Sequence, residues 1–298
     1  MLNIKSILVP TDLSVAARNA FTVARDVARR FDASLHVLHV KPTESQFAAF
    51  ARWFATPMPE TGDAGAKAEL SEHYAGYDKL KIVEREGAGV ADTILDYARD
   101  CDIDLIVMGT HGHRSLDHPA LGGAAGDVVR GARSPVMTVR SRREEPKTFE
   151  GFDRILVAVD FGENSPALVR AAKHLASLYD ASVSLLFVSE EHLVPVFSDT
   201  GMMSVTTLKV DDEIAENAGA ALRQMDEETG SSDVEVDYLV ESGNPAREIV
   251  SAAADRAADL IIVGRRGHSP HEGILLGTVT EHVVRTAKSP VLTIGTKE

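Results

Sequence analysis

The part of the sequence best suited to bind a ligand is a glycine-rich polar segment, residues 264–278, which reads GRRGHSPHEGILLGT. It follows the apolar run DLIIVG and precedes the helix-like run TVTEHVVRTA. Gly264, Gly267 and Gly277 have no Cβ atom, so the backbone there can adopt positive φ and bring its N–H groups close to a ligand. The start of a helix favours an anion through its free N–H groups and its dipole, and Thr278 adds a hydroxyl. These residue types at this spacing indicate phosphate binding.

Two arginines, Arg265 and Arg266, lie inside this segment although the second half of the chain is strongly acidic. They fit either a counter-charge for phosphate or an ordinary solvated surface pair. Glycines are also common after strands, where they serve only a turn. The P-loop pattern G-x-x-x-x-G-K-[ST] and a G-x-G-x-x-G after the first strand are both absent from the sequence. The segment taken alone therefore leaves nucleotide binding and a simple turn both open.

The chain carries such a segment twice, because a similar stretch, GTHGHRSLDHPALGG, occupies residues 109–123. Further repeated segments are ILVPTD (7–12) with ILVAVD (155–160), and ARSPVMTV (132–139) with AKSPVLTI (287–294). A period of roughly 150 residues is typical of duplicated domains and far too long for a solenoid. We therefore predict two tandem modules, the first module at residues 1–142 and the second module at 150–298.

Within each module, apolar runs alternate with amphipathic ones. The alternation predicts βαβ units, hence an α/β fold with a parallel sheet and helices on both of its faces. Ser14 is placed to cap the first helix, whose apolar residues recur at helical spacing. For the rest of the first module we predict strands at 34–40, 80–85, 104–108 and 135–139, and helices around 63–78, 90–100 and 122–132. Both glycine-rich segments begin where a strand ends, at the edge of a parallel sheet that binds ligands.

Composition narrows the class of protein. The 298 residues include one cysteine, Cys101, so no intrachain disulfide forms, and we expect a reducing compartment and a structural thiol. The net charge of −14, most of it in the second half, disfavours binding to nucleic acid. No apolar run reaches the ~20 residues that a membrane span needs, and the N-terminus lacks a signal-peptide pattern. We expect a cytoplasmic protein that binds neither nucleic acid nor membrane.

Three motifs together resemble the universal stress protein family: ILVAVD at the start of the second module, G-x2-G-x9-G-[ST] at 264–278, and the ending VVRTAKSPVLTI. The resemblance spans nearly the whole chain, as two modules. It implies that each module is a five-stranded parallel sheet of order 3-2-1-4-5. It also implies ATP binding and a role in the stress response or in regulation. In that family the acid after strand 1 and a residue at the end of strand 2 hold the adenosine, and the glycine loop holds the phosphates.

The resemblance assigns ligand contacts to matching positions in both modules. In the second module these are Ala158, Val159, Asp160, Val188, Val263, Gly264, Gly267, Gly277, Thr278, Val279 and Thr280. In the first module they are Pro10, Thr11, Asp12, Val40, Met108, Gly109, Gly112 and Gly122. The first module departs from the pattern at Gly123, where a hydroxyl residue belongs, and at Gly126, where the second module has Glu281. Its helix would also open with GGAAGD, and each interior glycine costs about 1 kcal/mol against alanine. We expect the second module to bind nucleotide better.

The ligand implied is ATP or another adenine nucleotide, with or without Mg²⁺. The resemblance also implies that the last strand of each module pairs across a two-fold axis, giving an internal pseudo-dimer. A homodimer of the chain and an unidentified protein partner are expected as well. No general base or Mg²⁺-binding carboxylate is identifiable, so we expect no enzyme and at most slow ATP hydrolysis. Two alternatives stay open: a partner-binding protein whose sites have decayed, and an enzyme of the adenylyl-transfer or ATP-pyrophosphatase type.

Two further features have both a functional and a structural interpretation. His111, His113 and His118 crowd the first glycine-rich segment, yet their spacing fits no familiar zinc pattern, so we predict no metal site. Residues 46–60 and 190–206 follow the second strand of each module. Each of these segments is either an exposed lid or partner surface, or a helix packed on its own module.

Overall fold

Two compact units make up the chain, mainly residues 3–151 and 152–296. The first unit holds most of the first module, and the second unit holds most of the second. A computed structural model describes residues 2–43, 74, 76–110, 123–140, 149–190, 192–197, 203–208, 212–230, 233–266 and 276–295.

The first module is a parallel α/β sheet. Its described elements are β1 (Ser6–Thr11), α1 (Val15–Phe31), β2 (Ser34–Pro42), β3 (Leu80–Gly87), α2 (Val90–Asp100), β4 (Leu105–Gly109), α3 (Gly123–Gly131) and β5 (Val136–Val139). The strands lie in the order β5-β4-β1-β2-β3, and their pairings are parallel. This is the order 3-2-1-4-5, so the expected fold is confirmed. The four strands after β1 begin and end within two residues of the predicted bounds.

One predicted helix of the first module extends too far. Of the helix expected around 63–78, the structure describes only residues 74 and 76–78, and these lie in a turn region before β3. Gly76 has φ +92°, a left-handed conformation that a helix does not continue through. The cap predicted at Ser14 is confirmed, because its side chain accepts the N–H of Ala17 at 3.2 Å.

The second module repeats this plan and adds a hairpin. Its described elements are β6 (Arg154–Val159), α4 (Ser165–Tyr179), β7 (Ser182–Ser189), β8 (His192–Phe197), β9 (Met203–Leu208), α5 (Asp212–Glu228), β10 (Val236–Ser242), α6 (Pro245–Asp255), β11 (Leu260–Gly264), α7 (Thr278–Thr286) and β12 (Val291–Ile294). The parallel strands lie in the order β10-β7-β6-β11-β12. Strands β8 and β9 pair antiparallel, so a helix over 190–206 is wrong. The β-branched residues of VTT in β9 favour a strand there.

Burial explains why the central strands are apolar throughout. The first four residues of both β4 and β11 are buried, as strands covered on both faces should be. On one side of the second sheet α4 packs with α5, and on the other α6 packs with α7. Fully burying one large aliphatic side chain contributes about 1.5–3 kcal/mol, so these layers supply most of the stabilisation.

The duplication is also visible in the backbone conformation of the two modules. Six described non-glycine residues have positive φ, and they form three pairs at matching positions of the two modules. The pairs are Leu13 (φ 65°) with Phe161 (φ 57°), Asp32 (φ 54°) with Asp180 (φ 58°), and Asp102 (φ 47°) with Ala257 (φ 48°). The turns at these three positions therefore have the same backbone conformation in both modules.

Candidate functional site

Asp160 follows β6, at the carboxyl end of the central strand of the second module. Its Oδ1 accepts hydrogen bonds from the N–H of Gly162 at 3.0 Å and from the hydroxyl of Ser165 at 3.0 Å. Ser165 is fully buried at the start of α4, and its Oγ also accepts the N–H of Asp160 at 3.3 Å. These bonds fix the orientation of an exposed carboxylate, which suits it to accept hydrogen bonds from a ligand.

The end of β11 is tied to the start of α7, although residues 267–275 between them lie outside the described part of the chain. The hydroxyl of Thr280 donates to the carbonyl oxygen of Gly264 at 2.6 Å. The N–H of Gly277 donates to the carbonyl oxygen of Arg265 at 2.9 Å. The Thr280 side chain is 4% exposed and serves this anchor, so a ligand would reach only its backbone.

Helix α7 begins without a side-chain cap. Its N-cap residue is Gly277, which makes no side-chain hydrogen bond, whereas Ser14 and Asn244 cap their own helices. The N–H groups of residues 278–280 have no carbonyl acceptor within the helix, whose first hydrogen bond runs from the N–H of Glu281 to the carbonyl oxygen of Gly277, and the N-cap residue offers them no side-chain acceptor. Thr278 is exposed beside them. Together with the helix dipole, this first turn is suited to hold an anion.

The two described glycines of this segment do not have positive φ, and Gly264 lies close to neighbouring groups. Gly277 has φ −70° and Gly264 is not among the described residues with positive φ, so neither uses the left-handed conformation that glycine permits. At Gly264 a Cβ would lie 3.2 Å from the carbonyl oxygen of Arg266 and 3.5 Å from Nδ2 of Asn164. That Nδ2 donates to the carbonyl oxygen of Ile294 at 3.1 Å. The loop after β6 therefore packs directly against the ends of β11 and β12.

The remaining residues assigned in the second module lie at the ends of three neighbouring strands, β7, β6 and β11. Val159 and Val263 are 5% and 3% exposed, so a ligand at this edge would meet their backbone groups. Ala158 and Val188 are half-buried. Val279 is half-buried in the first turn of α7. The structure thus gathers the assigned residues that it describes at one edge of the sheet.

The two arginines of the glycine-rich segment have different environments. Arg265 is 8% exposed, and its guanidinium lies against Gly295, where a Cβ would be 3.0 Å from Nη1. Burial, and then the charge of Arg266, lower the pKa of Arg265 from its ordinary value. Arg266 is exposed. The two arginines are therefore not both solvated surface residues. Arg265 is buried at the edge of the sheet, whereas Arg266 is accessible to a ligand.

The first module holds its matching edge in a different way. Thr11 is buried, and its Oγ1 accepts the N–H of Leu13 at 3.0 Å and lies 2.5 Å from the hydroxyl of Tyr74. Asp12 is exposed, and its Oδ1 accepts the N–H of Ser14 at 3.1 Å. Asp12 therefore forms the same turn as Asp160, in which Oδ1 accepts the N–H of the residue two positions further on.

The other assigned residues of the first module are structurally constrained where they are described. Pro10, Val40 and Met108 are buried at the ends of their strands. A Cβ on Gly109 would lie 2.8 Å from Cβ of Ala16, so glycine is needed there for packing. Outside the described residues lie Gly112, Gly122 and Gly267, the histidines His111, His113 and His118, and segment 46–60.

Sequence reasoning missed four side chains at these edges: Ser165, Phe161, Phe187 and Tyr74. Ser165 stands directly before a proline at a helix start, which is a recognisable signal. The three aromatic residues gave no signal of their own, because single aromatic side chains usually belong to the hydrophobic core. Among the described residues, no group of three or more His, Cys, Asp or Glu side chains could hold a metal ion.

The architecture defines a tandem pair of doubly wound α/β modules, with the candidate site at the carboxyl ends of the central strands. The model of the universal stress protein family matches residues 3–140 and 151–295. The chain therefore belongs to the universal stress protein family. No helix in the described part of the chain is long and apolar enough to cross a membrane.

Several known proteins are similar to this chain. The chain is 32% identical over 146 residues to universal stress protein YxiE of Bacillus subtilis, covering 48% of this chain and 99% of that protein. It is 26% identical over 285 residues to universal stress protein Rv2005c of Mycobacterium tuberculosis, covering 90% and 89%. A crystal structure of a universal stress protein from Archaeoglobus fulgidus superposes with a TM-score of 0.66 at 21% identity, covering 97% and 96%. The similarity to that crystal structure shows the fold alone.

Proposed function

We propose that this universal stress protein binds an adenine nucleotide, with ATP as the favoured ligand, and that the second module holds the better site. One arrangement carries the proposal: the oriented carboxylate of Asp160 and the uncapped first turn of α7 lie at the ends of neighbouring strands, β6 and β11. A carboxylate accepts hydrogen bonds from ribose hydroxyls, and an uncapped helix start binds phosphate. The pair therefore matches the two ends of a nucleoside phosphate.

We propose further that the nucleotide binds with Mg²⁺. Glu281 is exposed in the first turn of α7, close to where the phosphates would lie, and its negative charge opposes a bare polyphosphate. A divalent cation offsets that charge. Tighter binding of ATP with Mg²⁺ than without it supports this part of the proposal, and weaker binding contradicts it.

The nucleotide is a regulatory ligand and not a rapidly consumed substrate. Oδ1 of Asp160 already accepts two hydrogen bonds, which suits holding a ligand better than taking a proton from water. The bound state would then be read by a protein partner in the stress response. Phosphate release slower than nucleotide exchange is the expected result in a stopped-flow comparison.

Isothermal titration calorimetry tests the proposal. The protein is titrated with ATP, ADP, adenosine and tripolyphosphate, each with Mg²⁺ present. The expected result is one tight ATP site per chain, with weaker binding of adenosine and of tripolyphosphate, because each carries only one end of the ligand. No binding of any nucleotide would contradict it. A homodimer and the pairing of the two modules stay predictions, which analytical ultracentrifugation and an experimental structure would test.

A further inference from the structure

We propose that the second module recognises the base of its nucleotide by stacking it on an aromatic wall, formed by Phe161 and Phe187, which the first module lacks. The inference rests on the proposed function, since it names the part of the ligand that the second module selects. Phe161 directly follows Asp160, and Phe187 directly precedes Val188, so each ring is next in sequence to a position assigned to the nucleoside.

The two rings form a pair with exposed surface. Their centroids are 4.7 Å apart, their planes are inclined by 42°, and both residues are half-buried. Val240 is the cross-strand partner of Phe187 on β10 and is half-buried as well. An inclined, partly exposed aromatic pair flanked by an aliphatic residue offers a face against which a flat base can pack.

The turn that holds Asp160 also holds the ring of Phe161. Phe161 has φ +57°, a left-handed conformation that is uncommon for a bulky residue. The bond from the N–H of Gly162 to Oδ1 of Asp160 closes this turn at 3.0 Å. The carboxylate and the ring are therefore fixed relative to each other, as a ribose contact and a base contact must be.

The first module keeps the turn but has an aliphatic and a polar residue where the second module has the two aromatic ones. Leu13, with φ 65°, stands at the position of Phe161. His39 stands at the position of Phe187, and its Nδ1 lies 3.0 Å from the carbonyl oxygen of Thr11. The cross-strand partner of His39 is Glu84, which forms a 3.3 Å ion pair with Lys41. At the same edge, one module presents aromatic rings and the other presents charge.

The variant Phe161→Leu tests the wall, because Leu13 already adopts the same backbone conformation in this chain. We expect ATP affinity, measured by calorimetry, to fall about tenfold, in line with the loss of one base–aromatic stack. Binding of tripolyphosphate, which has no base, should not change. The matched control Leu13→Phe should leave the tight ATP site unchanged. If Phe161→Leu does not fold, Phe187→His, which copies the first module, is measured in the same way.

The outcomes separate this inference from the proposed function. If the unaltered protein binds ATP and Phe161→Leu binds it equally well, the aromatic wall is overturned and the function stands. Equal losses for ATP and tripolyphosphate would also overturn it, since the residue would then act on the whole loop. If the unaltered protein binds no nucleotide, both proposals fall together.

Discussion

The hydroxyl of Ser165 donates a 3.0 Å hydrogen bond to Oδ1 of Asp160, and this bond distinguishes the acid of the second module from that of the first. In both modules Oδ1 accepts an N–H two residues further on, from Gly162 at 3.0 Å and, for Asp12, from Ser14 at 3.1 Å. The residue that matches Ser165 in the first module is alanine, at position 17. The carboxylate of Asp160 therefore accepts a hydroxyl donor that the alanine at position 17 does not supply.

Removing this carboxylate should weaken nucleotide binding. We expect Asp160→Ala to lower ATP affinity by about ten- to a hundredfold, since a charge-assisted hydrogen bond contributes about 1.5–3 kcal/mol. Ser165→Ala, which copies the first module, should cost up to about tenfold by loosening the carboxylate. Both are measured by calorimetry.

A double variant shows whether Ser165 acts through Asp160. In the Asp160→Ala background, Ser165→Ala should change ATP affinity no further, because the group that it orients is gone. Additive losses would show that Ser165 supports the loop independently. Unchanged affinity in Asp160→Ala alone would remove that residue from the site.

Two strand-end glycines should differ in their importance for stability. A Cβ on Gly109 would lie 2.8 Å from Cβ and 3.0 Å from the carbonyl carbon of Ala16, which is backbone and cannot move aside. At Gly264 the nearest contact would be 3.2 Å, to the carbonyl oxygen of Arg266 in a loop. We expect Gly109→Ala to lower the free energy of unfolding by about 1–3 kcal/mol and Gly264→Ala by less, in urea titrations. The reverse order would contradict the packing described.

Sequence patterns predicted most of the fold for physical reasons. LIVMG and LIIVG are apolar throughout because those strands are buried on both faces, and the repeat fixed the modular plan. Residues with a common local signal, such as Ser14 as a helix cap, were also found. Helix α3 forms in spite of its three glycines because Val128 and Val129 are fully buried, and such packing outweighs local propensity.

Features set by tertiary contacts were not predictable in the same way. The burial of Arg265 depends on the space above Gly295, which no local pattern encodes. The roles of Phe161 and Phe187 depend on strands β6 and β7 being neighbours. The hairpin β8–β9 carried a strand-like pattern, but a short apolar segment after a strand fits a helix or a strand equally well.

Acid should destabilise the first unit through His36. Its Nδ1 lies 2.9 Å from the hydroxyl of Tyr97, and burial, then the charge of Lys81, lower its pKa below the ordinary 6.5. The unfolded chain then binds the proton more readily, so stability falls as pH drops from 6.5 through the folded pKa. We expect His36→Ser, which copies Ser184 of the second module, to lose less stability than the unaltered protein between pH 7.5 and 5.5. Equal losses in urea titrations would contradict this assignment.

A buried lysine should stabilise the second unit. Nζ of Lys173, 7% exposed, lies 2.6 Å from Oδ1 of Asp226 and donates to the carbonyl oxygen of Gly230 at 2.6 Å. The hydroxyl of Tyr238 donates to Oδ2 of Asp226 at 2.8 Å, and burial, then this bond, raise its pKa to about 12. Lys173→Met would leave the half-buried carboxylate of Asp226 without its cation, which should lower the free energy of unfolding by about 3–5 kcal/mol.

The matched control for Lys173 is Arg25, which stands at the same position of the first module and is only half-buried. Arg25→Met should change the free energy of unfolding by about 0.5 kcal/mol or less. If the two variants lower the free energy of unfolding by similar amounts in urea titrations, the ion pair of Lys173 does not stabilise the second unit as described.

Native mass spectrometry of the protein with ATP and Mg²⁺ tests the central claim most directly. At the φ of −70° and ψ of 147° found at Gly277, valine is sterically allowed, so Gly277→Val should fold and only block phosphate from the start of α7. The account predicts that the unaltered protein and Gly122→Val retain one bound ATP, and that Gly277→Val loses it. Loss of ATP in Gly122→Val with retention in Gly277→Val, or retention in both, would contradict the account.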